Sequence, residues 1–152
     1  MENRADIIVN NRDNEPILMV EVKTKLHTSP DWVAQYRRNI FSHGDLPSAR
    51  FFLFAFPDRF YLWTHNSDPH AGYDPDFAID ARPILGPYFE RADVLPEKIR
   101  GESFELLIWW WLADVVHDDW NPANPNVSRA WLMESGLAEA IRNGRVLHEV
   151  LA

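Results

Sequence analysis

The chain of 152 residues carries 23 acidic and 15 basic side chains, a formal net charge of −8, and no cysteine. That length suits one domain with a substantial core, and nearly half apolar residues, with seven Trp and nine Phe, exclude global disorder. The absence of cysteine excludes disulfide frameworks and thiolate metal sites and fits a reducing cytoplasm, while the net charge by itself argues against an avid binder of nucleic acid.

Residues 5–25, ADIIVNNRDNEPILMVEVKTK, read as two β-strands joined by a tight polar turn. With Asp13 and Asn14 as the central turn residues, types that tolerate positive φ, residues whose numbers sum to 27 face each other. Ile7 then faces Val20, Val9 faces Leu18, and Asp6 faces Glu21. The strand period of two puts Glu21 and Lys23 on one face and Leu18, Val20 and Val22 on the other.

Thr28-Ser29-Pro30-Asp31 starts a helix, with Ser29 as cap and Pro30 in the first turn, and the helix runs to about His43 before Gly44. Trp32, Tyr36, Ile40 and Val33 form its apolar face, leaving Gln35, Arg38 and Asn39 at the edge and Arg37 further round. Arg50 to Phe56, RFFLFAF, is a continuous apolar run suited to a central strand covered on both faces. Pro57-Asp58-Arg59 turns the chain and Phe60 to Thr64 returns as another strand. The order β-β-α-β-β predicts an α/β fold with a mixed central sheet flanked by helices.

The segment Asn66 to Pro83 is rich in Asp and Pro and reads as an extended excursion leading into a short helix from Ile84 to Arg91. Its Asp74, Asp76 and Asp80 lack the glycine and terminal glutamate of a calcium loop and read as ordinary loop acids. Glu102 to Val116 is a helix apolar almost all round, with Trp109, Trp110 and Trp111, buried in a core or under a partner. After a loop from Asp118 to Asn126, Ser128 starts a helix through Met133. Gly136 interrupts it, Leu137 to Arg142 continues, Gly144 closes it, and Arg145 to Leu151 forms a last strand.

One domain, 1–152, is therefore expected, with a core in 1–65 and an accessory helical part in 66–152. The apolar run Phe104 to Val116 is too short to span a bilayer and holds Glu105 and Asp114, so no membrane association is expected. No secretory start is visible, which makes the cytoplasm the expected location. Residues 1–65 hold eight basic and eight acidic side chains and the remainder seven against fifteen, so the surplus acidity lies in the second half. The six histidines show no metal-ligand spacing, His27 reads as a loop residue, and no glycine-rich phosphate loop appears.

Asp6, Glu21 and Lys23 carry the chemistry. Two facing carboxylates repel and stay ionised together only around a cation, for which Mg²⁺ held by oxygen ligands, or Mn²⁺, is suited. An ammonium one strand step beyond Glu21 is placed to orient or deprotonate a water or to steady charge on a phosphate. Set against this is the plainer alternative of surface ion pairs on an exposed sheet face.

Asp6 followed by Glu21-Val22-Lys23 in an apolar strand resembles the signature of the PD-(D/E)XK nuclease superfamily. The run through EVKTK, SPDWVAQYRRNIFSHG and FFLFAFPDRFYLW resembles uncharacterised, mostly cyanobacterial members of it. The resemblance implies a restriction-endonuclease-like fold, metal held by Asp6, Glu21 and the Val22 carbonyl, a water assisted by Lys23, and a positioning role for Gln35. Superfamily members usually carry a helix and a strand before the first aspartate, and that helix often adds an acid. This chain begins five residues upstream of Asp6 with Glu2 as the acid there, so the expected fold lacks the leading helix and strand, being either completed elsewhere or impaired at its site. DNA is the expected substrate, with Lys25, Arg37 and Arg38 as phosphate contacts. The alternative is a non-catalytic module of the same fold that binds protein, including itself as a homodimer, through the tryptophan-rich helix.

Overall fold

The computed structural model describes residues 5–42, 49–65, 74–117 and 129–148. In chain order they form β1 (Ile7–Asn10), β2 (Pro16–Val22), α1 (Pro30–Ser42), β3 (Phe51–Ala55), β4 (Arg59–Trp63), β5 (Phe77–Asp80), α2 (Arg82–Ala92), α3 (Gly101–His117), α4 (Ala130–Glu134), α5 (Leu137–Ile141) and β6 (Arg145–His148). The helix end expected at His43 and Gly44, the loop from Asp118 to Asn126, the start at Ser128 and the strand beyond His148 lie outside the described residues.

The opening hairpin keeps the expected pairing by an unexpected route. Its turn is not centred on Asp13 and Asn14. Instead the Asn14 N–H donates to the Asn11 carbonyl at 2.9 Å, the Asn11 N–H donates to the Glu15 carbonyl at 2.8 Å, and Asn14 adopts φ 63°. The Asn11 side chain braces this loop by accepting from the N–H groups of Asp13 and Glu15, each at 3.0 Å. A loop one residue longer shifts the register near the turn, so Asn10 pairs with Pro16; a bulge between Val9 and Asn10 then restores Val9 to Leu18 and Ile7 to Val20. Ile17 and Leu18 consequently pack against the same core although they are adjacent in a strand.

The six strands form one sheet in the order β5-β4-β3-β2-β1-β6. Only β2 and β3 run parallel among these neighbours, and α1 provides the crossover that a parallel pair requires. All five residues of β3 are buried, as the continuous apolar run predicts. Phe51, Leu53 and Ala55 enter one core and Phe52 and Phe54 the other, each large apolar side chain stabilising the fold by roughly 1.5–3 kcal/mol.

On one face α1 packs Trp32, Val33, Tyr36 and Ile40 over Met19, Phe52, Phe54 and Trp63. Its start follows the expected cap: the Trp32 N–H donates to Ser29 Oγ at 3.2 Å. Arg37 is a correction. Four residues after Val33 and three before Ile40, it stands on the buried face with no exposure, and its guanidinium lies 5.4 Å from the Phe52 ring centroid and 5.1 Å from that of Trp63. A side chain sealed between the helix and those rings does not meet a phosphate in solvent. Arg38 is exposed.

The opposite face is covered by α2, α3, α4 and α5, whose Leu85, Phe104, Ile108, Leu112, Leu132 and Ile141 join Ile7, Leu18, Val20 and Leu62 in the larger core. The Asp and Pro-rich excursion contains β5, an edge strand of alternating exposure paired with β4. Asp76 accepts from the N–H and hydroxyl of Thr64 at 2.7 and 3.0 Å, while Asp80, read as a loop acid, ends strand β5 and takes a two-pronged bond from Arg82. At the other edge β6 pairs antiparallel with β1. Residues 66–152 thus supply both edge strands and one whole layer. The product is an α/β fold with a mixed six-stranded sheet flanked by helices and a helical C-terminal half.

Gly144 makes the turn into β6 feasible: a Cβ there would stand 2.0 Å from the Asn10 carbonyl oxygen and 3.0 Å from that of Ile141. Both obstacles are main chain, so Gly144→Ala is expected to destabilise by about 1–3 kcal/mol and to lower the urea midpoint in a denaturation curve without changing its slope. Among the described residues no helix is long and apolar enough to cross a membrane.

Candidate active site

The site forms where β1 begins and β2 ends. Asp6 immediately precedes β1, and its Oδ2 accepts the Val22 N–H at 2.8 Å. This bond fixes the carboxylate across the mouth of the hairpin. Glu21 is only 7 % exposed and accepts from the Asp6 N–H while its carboxyl shares a further hydrogen bond with the Asp6 carboxyl. Past the strand end the Lys23 N–H still donates to the Ala55 carbonyl at 3.0 Å, which holds its main chain to β3. The three side chains lie within electrostatic reach of one another, as the pairing predicts.

Their protonation follows from this crowding. Burial, then repulsion by Asp6, pushes Glu21 up to about 8, with Lys23 opposing. Burial pushes Asp6 up to about 6 against the Val22 N–H, and repulsion by Glu105 adds to the rise. For Lys23, burial works downward but is outweighed by Tyr36, Glu21 and Asp6, which hold the ammonium above its ordinary range. Lys23 is therefore a cation that donates hydrogen bonds at neutral pH. That favours orienting a water or steadying phosphate charge over deprotonating the water.

Two further side chains reach the trio, and a third backs one of them. Tyr36 of α1 comes to Lys23, whose Nζ lies 5.8 Å from the ring centroid. Glu105 of α3 stands against Asp6, close enough to share a hydrogen bond. His148 of β6 places Nε2 3.0 Å from Glu105 Oε2. The sequence held one signal for Glu105: an acid flanked by Phe104, Leu106 and Leu107 in a largely apolar helix needs a polar partner where it is covered. Nothing local marked His148.

Gln35 is exposed one position before Tyr36 on α1. Lys25 is exposed too and packs its ammonium 5.2 Å from the Trp32 ring centroid. His27 behaves as a loop residue, its N–H donating to Asp58 Oδ2 at 3.2 Å. Clefts of about 480 Å³ beside Phe89 and Glu90 and about 350 Å³ beside Lys98 and Trp110 lie along α2, α3 and their connection, and no member of the trio lines either.

Among the described residues no group of three or more His, Cys, Asp or Glu side chains is arranged to hold a metal ion. A zinc-type cage of protein ligands does not fit that arrangement. Mg²⁺ asks for fewer protein ligands, since it takes one or two carboxylates, keeps several waters and completes its shell with phosphate. Two buried carboxyls that retain a proton between them are a donor set from which such a cation displaces the proton. Asp6 and Glu21 are the side chains that would hold it.

No protein-family model matches the chain, and no characterised protein or solved structure matches it either.

Proposed function

We propose that this chain is a Mg²⁺-dependent phosphodiesterase of the PD-(D/E)XK type acting on DNA. The observation that carries the proposal is the convergence of Asp6, Glu21 and Lys23 at the hairpin mouth, where buried acids retain a proton beside a fixed ammonium. We read Glu105 of α3 as the helical acid that the resemblance calls for.

Asp6 and Glu21, with the Val22 carbonyl, would hold a divalent ion, which when bound would supply positive charge to a phosphate and make bound water more acidic. The chain's own residues do the rest. The Val22 N–H keeps Asp6 turned toward Glu21, and Lys23 presents an ammonium to the charge that builds on the phosphate oxygens. Tyr36 holds Lys23 in its charged form. Lys25 and Arg38, both exposed, are the phosphate contacts that remain once Arg37 is set aside; such contacts position the strand and do not read sequence. Gln35, exposed on α1, positions water or backbone as DNA approaches.

Incubation of supercoiled plasmid and of single-stranded DNA with Mg²⁺ or Mn²⁺ tests this. Nicking or cleavage that chelator abolishes is expected; intact DNA of both forms with both ions overturns the proposal. A second reading, a protein-binding module that self-associates, draws on the exposed Leu106, Trp109 and Trp110 of α3 and Leu147 of β6. Metal-dependent cleavage in the same assay would remove the need for it.

A further inference from the structure

We propose that His148 is a positioning residue for the candidate active site, acting through Glu105; the inference rests on the phosphodiesterase reading of that site. Glu105 is a long, rotatable acid beside the Asp6 carboxyl, and repulsion between the two favours its swinging away into solvent. It does not swing. His148 Nε2 holds Glu105 Oε2 at 3.0 Å, with the two side chains only 5 % and 17 % exposed.

The histidine is itself rigidly placed. His148 pairs with Ile7 in the β6 to β1 ladder, one residue from Asp6, so the strand that follows the aspartate also seats the residue that restrains its neighbour. On the other side the Trp109 Nε1–H of α3 donates to the Val146 carbonyl of β6 at 3.4 Å, tying the helix that carries Glu105 to the strand that carries His148. The Asp6 carboxylate is thereby held from two directions, by the Val22 N–H through Oδ2 and by Glu105. A third acid fixed there adds negative potential to the site and selects a divalent over a monovalent cation without being a ligand. Groups that orient the residues around a metal in this way typically contribute 10–100-fold in its affinity.

Mn²⁺ binding, followed by electron paramagnetic resonance of the free ion at one fixed pH, tests the assignment on the unsubstituted protein and on Glu105→Gln, His148→Ala and His148→Gln. Glu105→Gln and His148→Ala are expected to weaken Mn²⁺ about 10–100-fold. His148→Gln, whose side-chain amide also presents an N–H to Glu105, is expected to recover most of the loss. A purely structural role for His148 would not separate glutamine from alanine, so equal losses in those two variants overturn the proposal, as does unchanged affinity in Glu105→Gln. Thermal melts in chelator establish that each variant is folded; if His148→Ala is not, Glu105→Gln and His148→Gln carry the test. Unsubstituted protein that binds no Mn²⁺ overturns the phosphodiesterase reading along with this one, whereas normal binding that the variants leave untouched overturns this one alone.

Discussion

Glu21→Ala is expected to remove DNA cleavage down to background, and Lys23→Ala to lower its rate about 10²–10³-fold, the typical loss when one preorganised charge facing the transition state is deleted. The two substitutions differ in what they leave behind. Without Glu21 only Asp6 remains at the hairpin mouth, its Oδ2 already engaged by the Val22 N–H, so Mn²⁺ binding is expected to disappear together with the activity. Without Lys23 both carboxyls remain and lose the cation that lowers them, so Mn²⁺ binding should persist while turnover falls. Single-turnover cleavage measured beside Mn²⁺ titration separates these outcomes. Activity that survives both substitutions would place the chemistry elsewhere.

The second large effect is on stability, and its sign follows from the raised carboxyls. Glu21 moves from an ordinary 4.5 to about 8 and Asp6 from 3.8 to about 6, so the folded metal-free protein binds these protons more tightly than the unfolded chain does. Their contribution is complete below about pH 4, declines as the unfolded chain loses protons first, and is gone once pH has risen through about 8. The melting temperature in chelator is therefore expected to fall between pH 5 and pH 8, by an amount equivalent to roughly 2–5 kcal/mol. At roughly 2–4 °C per kcal/mol for a domain of this size, that is a measurable drop. Glu21→Gln, which has no proton to lose, should flatten the profile and melt higher than the parent at pH 8. Mg²⁺ at about 100 times its dissociation constant should restore roughly 2.7 kcal/mol to the parent and little to the variant. Identical profiles for the parent and Glu21→Gln would show that the pair is not strained by burial.

Much of this architecture was legible because its causes are local. Alternation marks Leu18, Val20 and Val22 as the apolar face of β2, the unbroken RFFLFAF run marks β3 as central, and Ser29 before Pro30 marks the start of α1. Each depends on side chains within a few residues of one another. The hairpin register shows the limit of that logic: the pairing of Ile7 with Val20 was anticipated from a two-residue turn, yet it arises from a longer loop compensated by a bulge. Two one-residue displacements cancel, and no turn propensity reports such a cancellation.

Arg37 and β5 were misread for a different reason. Charge places an arginine at the surface by default, whereas here the sheet brings the rings of Phe52 and Trp63 against the Arg37 guanidinium on the buried face of α1. The four residues of β5 alternate weakly, and their strand character comes from pairing with β4. Local pattern thus marks the two hairpin strands, the crossover helix and the central strand, and a period of two places Glu21 and Lys23 on one face, whereas the approach of Asp6 to Glu21 depends on the register that the bulge restores. Only the packed chain decides that Glu105 and His148, 43 residues apart, meet beside Asp6. That meeting depends on α3 lying over the sheet and β6 adding to its edge, and both are consequences of burying a common core, which adjacent residues do not encode.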